Sequence, residues 1–325
     1  MAIAVGAKIT AADYNDLVSR TNKIFADNYP SSRPAPGAPP VSKADRAFGW
    51  GNPEAEFGSI GTKISASLVN EVIDRLNLSS THTGGEYELD QVVKGQKVTA
   101  SIWQDIETVI TDVTPRKNIA ALGQTAITQL GTINHTAEFS NRLVYLANLK
   151  FADYNKARYF FNSGGSIRLN LDKTGGNAAA DQWKNVYERL GTVSLSLANT
   201  LSTSSNIISE GRGFQDLLTT EQLLLTCENT SSGGGYGYGY GYGYGYGTTT
   251  RRIRIYGTVT PEVPGNWNGP VIITLRVELS SSDSEVKGTH RLYVESNKAT
   301  SKTNGSAAFD ITQPQFSGSS NNTSA

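Results

Sequence analysis

KARYFFNSGGSIRLNL, residues 156–171, carries the signals from which the fold of the remaining chain is interpreted. Its first part, residues 158–161, is short, aromatic and favourable for a strand. The next four residues, Asn162-Ser163-Gly164-Gly165, are typical of a turn that needs positive φ. After that turn, apolar residues alternate with polar ones, as in a half-buried strand, at Ile167, Leu169 and Leu171. The sequence predicts a β-hairpin with its structural turn at Gly164 and Gly165.

The same period-2 alternation recurs on both sides of this stretch and predicts further strands. One set lies in residues 143–151, and the most regular one lies in residues 271–279. Shorter sets occur at residues 253–259, Leu292 and Val294. Residues 181–190 are the exception, because their apolar side chains have helical spacing and Gly191 follows as a helix end. These segments predict a mostly antiparallel, sandwich-like β domain that carries one helix.

One sequence pattern occurs three times before this domain, starting at Gly6, Gly61 and Gly95. It reads G-x-K-[IV]-[ST]-A-[AS]-x-[YVW]-[NQ]-[DE]-[LVI], and such agreement across three copies indicates internal duplication. In each copy the hydroxyl residue suits a helix N-cap, and apolar residues with helical spacing follow it. The repeats predict three structurally equivalent short helices with N-caps at Thr10, Ser65 and Thr99.

Together these features predict an α+β protein, in which N-terminal repeated short helices are followed by a mostly antiparallel β-sandwich-like domain with one helix. Residues 1–115 form the three-copy helical repeat region, residues 143–316 form the β-rich domain, and residues 116–142 link the two. A proline-rich arm is expected at residues 27–60, a Tyr-Gly insert at residues 233–247 and a flexible tail at residues 317–325.

Two of these segments are candidates for contact with a partner. The arm includes Phe48 and Trp50, which are too apolar for a solvated linker and are expected to dock in cis or on a neighbouring subunit. The insert holds six Tyr-Gly dyads, which fit either a loose insertion between two strands or an ordered interaction element. A nucleic-acid stacking strip is disfavoured, because interleaved basic residues are missing. The candidate partner-interface residues are Tyr236, Tyr238, Tyr240, Tyr242, Tyr244, Tyr246, Phe48 and Trp50.

Charge and composition argue against several functional classes. Lys plus Arg and Asp plus Glu each number 29 among the 325 residues, so the formal net charge is zero. Neither nucleic acid nor an anionic membrane is therefore expected as a partner, and no apolar run is long enough for a transmembrane helix. The single cysteine, Cys227, excludes an intrachain disulfide and a cysteine metal site, and its apolar neighbours predict that it is buried.

Familiar catalytic motifs are missing from the sequence, including the phosphate loop, the dinucleotide fingerprint, the zinc-protease motif and the nucleophile elbow. The three histidines, His82, His135 and His290, have no ligand spacing and are expected to be polar surface or hydrogen-bonded residues. The acidic residues at positions 86, 88 and 90 predict a solvated loop, and the arginines of residues 251–254 predict an edge strand protected against aggregation. The sequence therefore predicts a non-enzymatic protein with no cofactor and no metal.

Three of these features occur together, and in this order, in a known family. The ITAADYN-type helix repeats, the ARYFFNSGG segment and the helix containing Gln182-Trp183-Lys184-Asn185 resemble segments of virion structural, tail-associated proteins of tailed bacteriophages, notably cyanophages. The resemblance covers about residues 1–230, and the proline-rich arm and the Tyr-Gly insert depart from it. It implies a place in a virion that is assembled in the host cytoplasm, and it implies no chemistry.

The resemblance leaves three roles open. The first is an assembly protein of the tail, neck or baseplate, which forms a homo-oligomer and contacts other virion structural proteins. The second is a receptor- or glycan-binding tail fibre protein, and the third is a head decoration protein. The first is favoured, because the chain is short and lacks both a coiled-coil shaft and the collagen or β-helix repeats of fibres.

Overall fold

A computed structural model describes residues 9–26, 46–47, 49–59, 61, 63–204, 207–232, 248–283 and 285–322. The predictions for Phe48, for the six tyrosines of the insert and for most of the proline-rich arm lie outside these residues.

The three N-terminal repeats each form a helix with the predicted cap. The helices are α1 (Ala11–Phe25), α2 (Ala66–Thr83) and α3 (Ala100–Val113). The hydroxyl of Thr10 accepts from the Asp13 N–H at 3.2 Å. Ser65 and Thr99 accept in the same way from the N–H groups three residues ahead, each at 3.3 Å. The three predicted N-caps are therefore confirmed.

Each helix buries the apolar stripe that its spacing predicts. The stripes pack together and continue without a break into the core of the strand region. The buried members are Tyr14, Leu17, Val18, Thr21, Ile24 and Phe25 on α1, Val69, Val72, Ile73 and Leu76 on α2, and Trp103, Ile106, Val109, Ile110 and Val113 on α3. Burial of these stripes against a common core stabilises helices that would be marginal alone.

The strand region contains thirteen strands and two further helices among the described residues. In chain order these are β1 (Thr125–His135), β2 (Arg142–Phe151), α4 (Tyr154–Asn162), β3 (Ser166–Thr174), α5 (Ala178–Leu190), β4 (Val193–Leu195), β5 (Thr200–Ser202), β6 (Ile208–Ser209), β7 (Gln222–Ser232), β8 (Thr248–Pro261), β9 (Val271–Ser280), β10 (Thr289–Ala299), β11 (Lys302–Asn304), β12 (Ala307–Phe309) and β13 (Gln315–Asn322). Short 3₁₀ turns occur at Thr114–Arg116 and Phe214–Asp216.

All sheets are antiparallel, and the two large ones form a sandwich. One has the strand order β1-β10-β3-β4-β5, the other has the order β13-β2-β9-β8-β7-β6, and β11 and β12 make a separate hairpin. The predicted strands β2, β8, β9 and β10 are confirmed, with buried and half-buried residues alternating along them. The predicted helix is confirmed as α5, which ends at Gly191. The chain is a mixed α+β protein with a sandwich-like sheet arrangement, as predicted.

The predicted β-hairpin at residues 156–171 is wrong, because its first half is the helix α4. The Asp153 side chain caps this helix by accepting from the Lys156 N–H at 2.8 Å. Tyr154, Ala157 and Phe161 are spaced so that a helix places them on one buried side. Burial of these aromatic rings outweighs their intrinsic preference for strands. The second half of the prediction is confirmed as β3.

The structural turn at Gly164 and Gly165 ends a helix and does not join two strands. The Gly164 N–H donates to the Phe161 carbonyl at 3.1 Å, and the Gly165 N–H donates to the Phe160 carbonyl at 3.0 Å. This pair of bonds is the Schellman arrangement of a helix C-terminus. Gly164 has the expected positive φ, +80°, whereas Gly165 does not.

Three further predictions are corrected by the sheet topology. The stretch 116–142, expected as a linker, contains β1, which pairs with β10 along its whole length. The tail expected to be flexible from residue 317 is largely the strand β13, which pairs with β2 as far as Asn322. The arginines of residues 251–254 lie on β8, which is flanked by β7 and β9 and is not an edge strand.

Among the described residues, no helix combines the length and the apolar character needed to cross a membrane.

Candidate functional site

Polar side chains join the N-terminal helices to the sandwich at a junction formed by Trp50, His82, Asn162 and Ser163. The indole N–H of Trp50 donates to the Lys117 carbonyl at 2.9 Å and to the Asn162 carbonyl at 3.1 Å. The Asn162 side-chain amide donates to the Gly49 carbonyl at 3.0 Å. Nε2 of His82 lies 2.8 Å from the Ser163 carbonyl, which can only accept, so this nitrogen donates. The junction therefore links α2, α4 and the end of the arm.

Trp50 itself is a core residue, and its predicted role as a partner-interface residue is wrong. Only 2% of its surface is exposed. Its ring packs against those of His82, Phe309 and Phe25, with centroid distances of 4.9, 5.5 and 5.8 Å. Of the two docking alternatives that the sequence left open, the structure shows docking in cis for this residue. The apolar ring and its single N–H are both satisfied within the chain.

Two glycines allow the close approaches that the junction requires. Gly51 has φ +84°, and a Cβ there would collide with the Tyr159 ring. Gly164 has φ +80°, and a Cβ there would collide with the backbone nitrogen of Ala120. At each position, both the positive φ and the lack of room for a Cβ atom therefore require glycine.

Two further polar contacts join distant parts of the chain. Asp74 of α2 accepts from the backbone N–H of Ser306 at 2.7 Å and from its hydroxyl at 2.9 Å, which holds the turn between β11 and β12. Arg46, at the end of the arm, donates to the carbonyls of Gln215 and Leu217 at 2.8 and 2.9 Å. Both charged side chains are buried, so both hydrogen-bonded contacts replace lost hydration.

The three histidines are buried and hydrogen-bonded within the fold. Nδ1 of His290 lies 2.7 Å from the Tyr187 hydroxyl, and Nδ1 of His135 lies 3.2 Å from the Ser320 hydroxyl. Burial lowers the pKa of His82 and His135, and it lowers the pKa of His290 to about 4. Their hydrogen bonding was predicted, whereas a surface position was not borne out. His290 is 0% exposed and holds α5 against β10.

The charged residues on the outer side of the six-stranded sheet are paired with one another. Glu278 contacts Arg142 at 2.6 Å and also pairs with Arg276 and Arg254. Burial would raise the pKa of Glu278, but the hydrogen bonds from Arg142 and Arg276 hold it below the ordinary value. Arg251 lies on the opposite, buried face of β8 and pairs with Asp283 of the segment after β9 at 2.6 Å. Arg252 and Arg254 of β8 thus pair with carboxylates of the two neighbouring strands, Glu228 of β7 and Glu278 of β9, and do not protect an edge as predicted.

An exposed groove runs between α2, α3 and the segment that connects them. Its volume is about 220 Å³, and Tyr87, 48% exposed, forms one wall. The acidic loop is solvated as predicted, since Glu86, Glu88 and Asp90 are exposed. The groove is lined by Ile73, Tyr87, Glu88, Leu89, Asp90, Ile102, Asp105, Ile106, Thr108 and Val109. It combines an aromatic ring with carboxylates, a set that the sequence analysis did not bring together.

The predicted interface tyrosines belong to the connection between two long paired strands. Ser232, the last residue of β7, lies directly opposite Thr248, the first residue of β8. The insert at residues 233–247 therefore connects the two strands at one end of their antiparallel ladder. The prediction that its tyrosines contact a partner stays a prediction, since they lie outside the described residues.

Comparison of the chain with protein-family models, curated proteins and solved structures finds no match. Within the described residues, no group of three or more His, Cys, Asp or Glu side chains is placed to hold a metal ion. Cys227 is buried, as its apolar neighbours predict.

Proposed function

We propose that this chain is a non-enzymatic structural subunit of a tailed-phage virion, built into the tail, neck or baseplate. In this role it is a homo-oligomer that contacts other virion structural proteins, and it is assembled in the host cytoplasm. The place in a virion follows from the resemblance of the helix repeats, the ARYFFNSGG segment and the α5 helix to tail-associated proteins.

The junction is the observation that carries the structural role. Its buried polar groups, Trp50, His82 and Asn162, each bond to a carbonyl of a distant part of the chain. Asp74 and Arg46 do the same at two other places. These polar and charged side chains are of types that can act in catalysis, but here they fix the relative positions of the helices, the sandwich and the arm. A subunit that is held by its neighbours along its length needs such internal rigidity.

A receptor- or glycan-binding role is the second candidate, and the groove beside Tyr87 is the observation that favours it. An exposed aromatic ring next to Glu88, Asp90 and Asp105 offers a stacking face and hydrogen-bond acceptors to a polar ligand. The groove is small, and its volume of about 220 Å³ would hold only a small part of a glycan. For this reason the assembly role is preferred.

The test is to locate the chain in purified particles of the phage that encodes it. Mass spectrometry of the particles should find its peptides, and microscopy of particles that carry a tagged copy should place the tag on the tail, neck or baseplate. Absence from purified particles overturns the proposal. Tags at the fibre tips, together with glycan binding that is lost in Tyr87→Ala, would establish the second candidate in its place.

A further inference from the structure

In the part of the chain that the structure describes, the two large sheets have four edges, and these edges differ in how well they are protected. β5 and β6 are only three and two residues long, and short edge strands offer little to pair with. β1 is longer, but its register is interrupted between Gln129 and Gly131. β13 is the remaining edge, and it runs for eight residues beside β2 with no break in register.

β13 lacks the charges, the proline and the bulge that commonly prevent an edge strand from pairing with another chain. Its sequence, QFSGSSNN, contains no charged residue and no proline. Most of its positions are exposed, including Gln315, Ser317, Ser319 and Asn321. A strand of this kind presents unpaired backbone N–H and C=O groups along its free side.

The other face of β13 holds the strand in place against the sandwich. The Phe316 ring packs where a side chain at Gly131 would be, and Gly318 leaves room for the Ile133 side chain. The Asn322 amide donates to the Glu138 carbonyl at 2.8 Å. The edge is therefore preorganised for pairing, so a partner need not supply the free energy to order it.

We propose that β13 pairs antiparallel with β13 of a second copy of this chain, so that the two six-stranded sheets become one. A strand without charge meets no repulsion when it faces itself. Its outward serines are small and offer little contact by which to select the side chains of a foreign strand, which is how such edges otherwise gain specificity. Two-fold pairing closes after two copies, and it uses the same surface on both. The greatest overlap places the two-fold axis near Gly318 and Ser319.

The experiment measures the mass of the full-length chain in solution by sedimentation. The measured mass of the wild type should be twice that of one chain, which is 34.9 kDa. The double variant Ser317→Lys with Ser319→Lys places like charges opposite each other across the proposed pair. It should raise the dimer dissociation constant by about tenfold or more while the circular dichroism spectrum is unchanged.

The matched control adds the same two charges to the other long edge, through Ala126→Lys with Thr128→Lys on β1, where both positions are exposed. This control should remain dimeric. A monomeric wild type overturns the proposal, and so does a dimer that survives in the β13 variant or dissociates in the β1 control. A chain that dimerises through β13 but is absent from virions would keep this inference and overturn the proposed function.

Discussion

The N-terminal helices and the sandwich differ in the range of the interactions that define them. Each helix starts at a cap whose hydrogen bond spans three residues, as between Thr10 and Asp13. The sandwich also requires pairing between strands that are far apart in the chain, as between Thr125 of β1 and Ala299 of β10. The helices can therefore begin to form locally, whereas both large sheets need strands from near the C-terminus.

This difference gives the junction its importance. Because the apolar core is continuous from α1 into the strand region, we expect the helices to owe part of their stability to the sandwich. The contacts of Trp50, His82 and Asn162 lie where the two regions meet. Perturbing the junction should therefore weaken both regions, whereas perturbing a locally determined feature should weaken one.

The largest expected effect is that of Trp50→Ala. Removing a buried indole should lower the free energy of unfolding by about 3–5 kcal/mol, and it also leaves the carbonyls of Lys117 and Asn162 without their donor. Urea unfolding followed by circular dichroism measures the change. Phe57→Ala is the matched control, because this aromatic residue of the same arm is 46% exposed and should cost little. A loss below about 1 kcal/mol in Trp50→Ala would show that the two regions are independent.

Acid should weaken the sandwich through His290. The pKa of this residue is lowered by burial to about 4, so the folded state binds fewer protons than the unfolded state, in which the pKa is 6.5. The stability that neutral His290 contributes is present above pH 6.5 and is lost as the pH falls through about 4, by roughly 3 kcal/mol in total.

Urea midpoints measured from pH 7.5 to pH 4 should fall steeply for the wild type. His290→Asn should be less stable at neutral pH and should show a shallower fall. Part of the fall of the urea midpoint with pH should remain in this variant, because the pKa values of His82 and His135 are also lowered by burial. Parallel curves for the two proteins would rule out His290 as a source of the acid sensitivity.

A smaller effect is expected from Gly→Ala substitutions, and two of them distinguish the cost of backbone strain from the cost of close packing at the junction. Gly164 and Gly211 both have positive φ, +80° and +65°. A Cβ at Gly164 would meet the Ala120 backbone, whereas a Cβ at Gly211 would meet nothing within 4 Å. Gly211→Ala should therefore cost about 1 kcal/mol of strain, and Gly164→Ala about 2 kcal/mol more. Equal losses in thermal unfolding would mean that the junction relaxes around the added methyl group.

The same contrast in range explains which features the sequence could predict. The caps, the helix stripes and the alternating strands depend on residues that are close in sequence, and these predictions are confirmed. The helix α4 was missed because nine residues with four aromatic rings resemble a strand, although Asp153 before it and Gly164-Gly165 after it are signals of helix ends. Recognising the two glycines as a helix C-terminus would have found it.

The sequence contains no recognisable signal for features that depend on residues far apart in the chain. β13 consists mainly of Ser, Gly and Asn, which favour loops, and it is a strand because β2 and the Phe316 contact with Gly131 hold it there. The junction could not be foreseen either, because nothing in the sequence connects Trp50 with Asn162, or Asp74 with Ser306. The predicted hydrogen bonding of the histidines was correct, but their partners, such as Tyr187 for His290, come from other elements.

The smallest expected effect on stability is that of deleting residues 236–247. The deletion leaves three glycines between Ser232 and Thr248, which lie opposite each other, and a three-residue connection is a common hairpin loop. Loop length changes closure entropy only weakly, so the free energy of unfolding should change by no more than about 0.5 kcal/mol. Incorporation into virions should nevertheless decrease, because tyrosines provide contact area at low cost in side-chain entropy.

A second variant separates the tyrosine rings from the length of the insert. It keeps every glycine and changes each tyrosine of the run to serine, at positions 236, 238, 240, 242, 244 and 246. If the rings make the contact, this variant should be incorporated as poorly as the deletion while its thermal unfolding matches the wild type. Normal incorporation of both variants would reduce the run to a tolerated insertion. Loss of the fold in either one would instead make the insert part of the sandwich, and β7 and β8 would then depend on the segment that connects them.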